Sequence, residues 1–381
     1  MNNKIDIVQK LVGNINKSFI NFNILNKNIE FLIDKYNLIK KIWFEFNKIS
    51  IKIINLEKDS DIYNQITSIL KKCYLSKFKY FNKSMKNIIS IKLITYLNVS
   101  FYYIQIDDSS YEQDIIKFKQ LFFEAITLAK YYNNLNISKN ILIIWLPINK
   151  CRDFNFDVIN NEFLDKSIEK FNAFTASGVT FGSTTKITIL TRYEEINKLL
   201  YHELIHNFGV DGTSYHDYIE DNGILLKYKK IKDNKSYHYD YSIYESYTEL
   251  LSSYINIIFR MIEETIKEQI EENKLKNIFL ARIIIEMIYS YNTISNIIKL
   301  NNFTNYNDFI KDKTFAGEIC FYEYYFLKAL LYNNLILKKL ESQDDYINLY
   351  EKIIIIDNDD LLQEIFNKSI KQNNFSYIFF K

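Results

Sequence analysis

Four histidines occur in the 381 residues, at positions 202, 206, 216 and 238, and two of them fall in the run His202-Glu203-Leu204-Ile205-His206. On a helix, positions four apart return to within about 40° of each other, which places both imidazoles on one face about 5–6 Å apart. That spacing suits one shared tetrahedral zinc ion. Glu203, about 60° from His206 on the same side, can contact a water on that ion without being a ligand. The chemistry implied is hydrolysis, in which zinc acidifies a water and Glu203 is the general base that takes its proton. The competing reading is a fortuitous pair on an amphipathic helix, but with so few histidines a chance H-E-x-x-H is expected in less than about 1 in 200 such chains. A catalytic zinc usually takes a third protein ligand. Asp211, His216, His238, Glu245 and Glu249 are the residues that could supply it.

Elements must hold the motif in place. The run EEINKLLYHELIHNF is amphipathic and helical in spacing, with Thr191-Arg192-Tyr193-Glu194 before it reading as a capping box and Gly209 after it as a terminator. Upstream, ISIKLITYLNVSFYYIQI is rich in β-branched and aromatic residues and predicts one long or two short strands. YEQDIIKFKQLFFEAITLAKYY has helical spacing, and ILIIWLP, stopped by the single proline Pro147, reads as a buried strand. NAFTASGVTF (172–181) predicts an edge strand with Gly178 inside it, and KITIL (186–190) a further strand. Five of the seven glycines, Gly178, Gly182, Gly209, Gly212 and Gly223, lie in this region, so the unusual backbone geometry is expected around the motif. Residues 1–85 show helical periodicity, and from YESYTELLSSYINIIFRMIEE onward the chain is again helical in pattern. The expected organisation is a helical N-terminal lobe (1–85), a sheet subdomain carrying the HELIH helix (86–210) and a mainly helical C-terminal subdomain (211–381). The expected fold class is α+β.

The motif, with the strand–helix–strand order before it, resembles the zincin metallopeptidases over residues 90–265. The metzincin extension H-E-x-x-H-x-x-G-x-x-H is met at Gly209 but fails at Gly212, where its last ligand would stand, with Asp211 one residue early. The gluzincin pattern implies instead a Glu on a later helix with an acidic residue four positions on. In that resemblance Glu245, in the helical subdomain, is the third zinc ligand and Glu249 the acceptor that orients a zinc-bound imidazole through its other ring N–H. The gap of 38 residues from His206 to Glu245 is longer than in thermolysin-like members and nearer to that of clostridial neurotoxin light chains, whose motif is also HELIH. The implied activity is zinc-dependent hydrolysis of peptide bonds, endopeptidase in type, by Glu203-assisted attack of zinc-bound water. A peptide or protein substrate would add as a strand along Phe174, Thr175, Ala176, Ser177 and Gly178. His238 is the favoured second donor to the developing oxyanion, with Tyr237, Tyr239 and Tyr241 beside it. The alternative function is a catalytically inactive zincin-fold scaffold or virion component.

Composition narrows the partners. With 48 Lys+Arg against 46 Asp+Glu, the formal net charge of +2 gives no reason to expect a nucleic-acid or membrane-surface partner. The Lys-rich stretches 71–86 and 227–235 read as solvated surface. Cys73, Cys151 and Cys320 are widely spaced and form no C-x-x-C pair, which suits a reducing, cytoplasmic setting and excludes a cysteine zinc site. Neither a signal peptide nor a run of about 18 apolar residues is visible. No phosphate-binding loop, dinucleotide fingerprint or G-x-S-x-G elbow occurs. The 65 Ile and 44 Asn, residues drawn from A/T-rich codons, point to an A/T-rich genome, and the chain also resembles uncharacterised metallopeptidase-like proteins of giant DNA viruses. Nothing in the sequence indicates an oligomeric state.

Overall fold

The computed structural model describes residues 21–77, 79–106, 111–132, 139–148, 178–182, 185–193, 195–212, 243–268, 272–300, 324, 327–338, 340 and 342–356. The described residues form an α+β protein with nine α-helices and one six-stranded mixed sheet. Two compact units divide the chain, one of Tyr36–Val210 and one of Met1–Lys35 with Asp211–Lys381.

The Tyr36–Val210 unit contains the sheet. Its elements follow the C-terminal part of α1 (Phe22–Phe46): β1 (Ile54–Leu56), α2 (Asp61–Lys72), a 3-10 turn (Tyr74–Lys77), α3 (Lys79–Met85), β2 (Ser90–Tyr96) and β3 (Val99–Gln105). After these come α4 (Tyr111–Tyr131), β4 (Asn140–Ile148), β5 (Gly178–Phe181), β6 (Thr185–Arg192) and α5 (Ile196–Phe208). The strand order is β1-β2-β3-β4-β6-β5. Strands β3, β4 and β6 are parallel, and β1, β2 and β5 each run antiparallel to a neighbour.

Strands β3 and β4 are nearly continuous apolar runs because both faces of the sheet are covered. Tyr102, Ile104, Ile144 and Leu146 join Ile66, Leu70, Leu75 and Phe81 in one core. Their sequence neighbours face the other way: Phe101 and Tyr103 pack on Phe118 of α4 with ring centroids 5.2 and 5.6 Å apart, and Trp145 lies 5.3 Å from Tyr103. Alternate residues therefore serve opposite layers, as the two-residue period of a strand dictates. Burial of each such aromatic or aliphatic side chain contributes roughly 1.5–3 kcal/mol.

The long β-rich run resolves into two strands, β2 and β3, joined at Leu97-Asn98 with Leu97 at φ 50°. Strand β1 was not legible: three residues inside a helical texture pair Ile54–Leu56 with Leu93–Ile91. Pro147 does not stop β4, which continues to Ile148; the register with β6 shifts between Trp145 and Ile148, where an imino nitrogen cannot donate to the ladder. The capping box is also corrected. Thr191 is buried inside β6, and α5 starts only at Ile196, with Glu195 at φ 54° and no side-chain cap. Gly209 ends the helix as expected, at φ 68°, its N–H donating to the carbonyls of Ile205 and His206.

The other unit is helical. It holds the first part of α1 and the helices α6 (Ile243–Glu268), α7 (Glu272–Leu300), α8 (Lys328–Asn334) and α9 (Gln343–Ile356). Helix α6 packs on α7, α8 and α9. Asn28 of α1 fastens the strand-like chain after α8: its amide donates to the Leu335 carbonyl and its Oδ1 accepts from the Leu337 N–H, each at 2.8 Å. Among the described residues, no helix is long and apolar enough to cross a membrane.

Candidate metal centre

Helix α5 carries the motif, and a polar network fixes its position. The buried Glu124 of α4 accepts from Tyr201 Oη and Asn197 Nδ2, each at 2.7 Å, and from Gln120 Nε2 at 2.9 Å. Asn197 and Tyr201 are four apart, so they present one face of α5 to α4. Asn207, at the other end of the helix, donates through Nδ2 to Thr188 Oγ1 of β6 at 3.1 Å. Leu200 and Leu204 are buried between these polar anchors. With the helix held on two sides, its third face carries the histidines.

His202 is buried and His206 half-buried. Their Nε2 atoms lie 3.1 Å apart, with the rings 4.8 Å between centroids and nearly perpendicular at 79°. Glu245, the candidate third ligand, stands in the first turn of α6, in the helical unit. The donor set fits zinc. Around a tetrahedral zinc with ~2.0–2.1 Å bonds, adjacent ligand atoms stand about 3.3 Å apart, close to the imidazole separation.

Glu203 is buried against the edge strand β5. Its Oε2 accepts from Thr180 Oγ1 at 2.8 Å, and its main-chain carbonyl lies 3.1 Å from the same hydroxyl. Gly178 explains how the carboxyl fits: a Cβ there would lie 2.5 Å from Glu203 Oε1 and 2.9 Å from Cδ. The glycine expected to mark an edge strand does so, and what approaches it is this carboxyl group.

Of the other residues singled out by the sequence, Glu249 lies on α6, buried, and its Oε1 accepts from the fully buried Lys328 Nζ at 3.2 Å. It is not a solvated acid. Asp211 is fully buried; its Oδ2 accepts from Thr248 Oγ1 at 3.1 Å and its carbonyl oxygen from Tyr350 Oη. Burial, reinforced by the Asp211 carboxylate, raises the Tyr350 phenol well above its ordinary range, so it remains a neutral donor. Phe174, Thr175, Ala176, Ser177, His216, Tyr237, His238, Tyr239 and Tyr241 lie outside the described residues. Sequence reasoning missed Thr180, Thr188 and Glu124. For Glu124 there was a faint signal, an acid on the apolar face of α4; for the two threonines the link appears only with the β5–β6 register.

This α+β protein with its paired imidazoles matches no protein-family profile and no solved structure. It is similar to an uncharacterised protein of Acanthamoeba polyphaga mimivirus, 29% identical over 164 residues that make up 41% of this chain and 38% of that protein. The chain thus spans well under two thirds of that relative's length.

Proposed function

We propose that this chain is a zinc metallopeptidase of zincin-like architecture that cleaves peptide bonds within chains. The observation that carries the reading is the pair His202 and His206, their Nε2 atoms 3.1 Å apart, with Glu203 beside them on the same helix. His202, His206 and Glu245 would hold the ion; when bound, zinc supplies a Lewis acid and an acidified water. Glu203 accepts a proton at its carboxylate and returns it to the leaving amine, a role that requires the carboxylate to be ionised at the start and held in place. Strand β5 presents the outer edge of the sheet, along which an extended peptide can add by main-chain hydrogen bonds. The similarity to a giant-virus protein and the A/T-rich composition support a viral source, and the separated cysteines suit a reducing cytoplasm.

The test is metal analysis joined to proteolysis. Purified protein should contain about one zinc per chain, lost in His202→Ala and His206→Ala. Glu203→Gln should keep zinc and lose cleavage of a broad peptide library. A zinc-free wild-type protein that cannot be loaded would end the metallopeptidase reading. Zinc retained with no cleavage by wild type would point instead to a catalytically inactive scaffold.

A further inference from the structure

We infer that Thr180 is a positioning residue for Glu203, aimed by a hydroxyl relay that starts within the sheet; the inference rests on the metallopeptidase reading above. Thr180 of β5 and Thr188 of β6 are directly paired in the antiparallel register, and their Oγ1 atoms lie 3.1 Å apart. Thr188 is fully buried and receives the Asn207 amide at 3.1 Å. The Thr180 hydroxyl faces two acceptors of Glu203, the carboxylate Oε2 at 2.8 Å and the main-chain carbonyl at 3.1 Å; an ionised carboxylate and a carbonyl can only accept, so its single proton is given to Glu203, with the nearer, charged Oε2 the stronger acceptor. That proton is then unavailable to Thr188, which must donate to Thr180, while Thr188 in turn accepts from Asn207. The polarity of the whole chain, Asn207 to Thr188 to Thr180 to Glu203, follows from its two ends.

Such a relay strengthens its last bond. Each hydroxyl that accepts becomes a better donor, and a bond ending on a carboxylate is roughly twice as strong as one between neutral partners. The arrangement also fixes one rotamer. Glu203 has three side-chain torsions that would otherwise sample several wells, but Thr180 holds Oε2 on one side while the space over Gly178 admits Oε1. The relay is anchored in β6, an inner strand, rather than in the edge strand alone, so the carboxylate is referenced to the core of the sheet. Asn207 belongs to the helix that carries both imidazoles, so helix and strand are keyed to each other at the same point.

The experiment compares wild type, Thr180→Val, Thr180→Ser and Glu203→Gln, each loaded with cobalt(II) as a spectroscopic substitute for zinc and each assayed on one peptide cleaved by wild type. Valine keeps the shape and removes the donor; serine keeps the donor and removes a methyl. Thr180→Val is expected to bind cobalt at the wild-type stoichiometry, to shift the visible absorption bands toward those of Glu203→Gln, and to lose turnover by roughly 10–100-fold with KM little changed. Thr180→Ser should return the bands and bring turnover to within about threefold of wild type. If Thr180→Val keeps wild-type bands and turnover, or if Thr180→Ser is as impaired as Thr180→Val, the positioning role is overturned while the metal site stands. Folded wild-type protein that takes up no cobalt overturns the metal-site reading, and the role of Thr180 with it.

Discussion

Tyr201 Oη donates to Glu124 Oε2 across 2.7 Å, from the residue next to the first motif histidine to a carboxylate buried on α4. The bond ties the turn of α5 that carries His202 to a neighbouring helix. Tyr201→Phe removes the donor but retains the ring, so the Glu124 carboxylate loses one of its described partners while Asn197 and Gln120 remain. A loss of about 1–3 kcal/mol in unfolding free energy is expected from urea titration of the metal-free protein. Glu124→Leu should cost more, because Tyr201, Asn197 and Gln120 would all lose their acceptor. An unchanged urea midpoint in both variants would show that this network does not hold the helix.

Gly178→Ala addresses how tightly the edge strand and the Glu203 carboxyl, the proposed general base, are fitted. Gly178 does not have a positive φ, so alanine can adopt its backbone; the obstacle is the Glu203 carboxyl at 2.5 Å from the new methyl. Because the obstructing atoms, Oε1, Cδ and Cγ, all belong to one side chain, the chain should fold, with Glu203 swung from its place. The expected result is unchanged zinc stoichiometry and a fall in turnover of roughly 10–100-fold, measured on the peptide used for wild type. Full activity would mean that the position of this carboxylate is not important to the reaction.

What could be read in advance divides along the range of the interactions. The HELIH pair was legible because its geometry is local to two positions four apart on one helix. Strand β4 was legible as an unbroken apolar run, β3 by its β-branched and aromatic content, and β6 by its alternation of polar and apolar residues. The capping-box reading failed because Thr191 and Glu194 satisfy a local pattern, whereas β6 extends to Arg192 to keep its pairing with Ile148 of β4. Strand β1 owes its existence to a partner some 37 residues away and carries no signal of its own. The Thr180–Thr188 contact depends on cross-strand register, and Glu249 meets a lysine 79 positions downstream. Neither link can be found by inspecting spacing along one segment.

Lys328 and Glu249 form a buried pair in the helical unit, with the lysine side chain fully enclosed and the carboxylate 11% exposed. Lys328→Met leaves the carboxylate without this cation and should cost about 3–5 kcal/mol, whereas adding Glu249→Met to the same chain should recover much of it. The double-mutant cycle, measured by urea unfolding of the metal-free protein, also tests where Glu249 acts. If its task is the ion pair, Glu249→Gln lowers stability while zinc affinity stays near wild type. A large loss of zinc affinity without loss of stability would return Glu249 to the role of orienting an imidazole.

Alkaline conditions should weaken the fold through buried phenols. Tyr254, Tyr332 and Tyr350 are all raised above the ordinary tyrosine value of 10.0, with burial the largest cause in each; Glu286 adds to it for Tyr332 and Asp211 for Tyr350. In the unfolded chain these groups lose their protons near pH 10.0, while the folded protein retains them, so the folded state binds more protons above that pH. The sign is therefore a stability fully present below pH 10 and lost as pH rises beyond it, at about 1.4 kcal/mol per pH unit for each tyrosine. Tyr350→Phe removes one such contribution and should make the decline shallower by about that amount, although it also gives up the bond to the Asp211 carbonyl and so starts from a lower stability. Urea midpoints of metal-free wild type and Tyr350→Phe, followed from pH 8 to about pH 11.5, should converge as pH rises. Parallel curves would mean that Tyr350 ionises in the folded protein as readily as in the unfolded chain, and that its burial is looser than its contact with Asp211 implies.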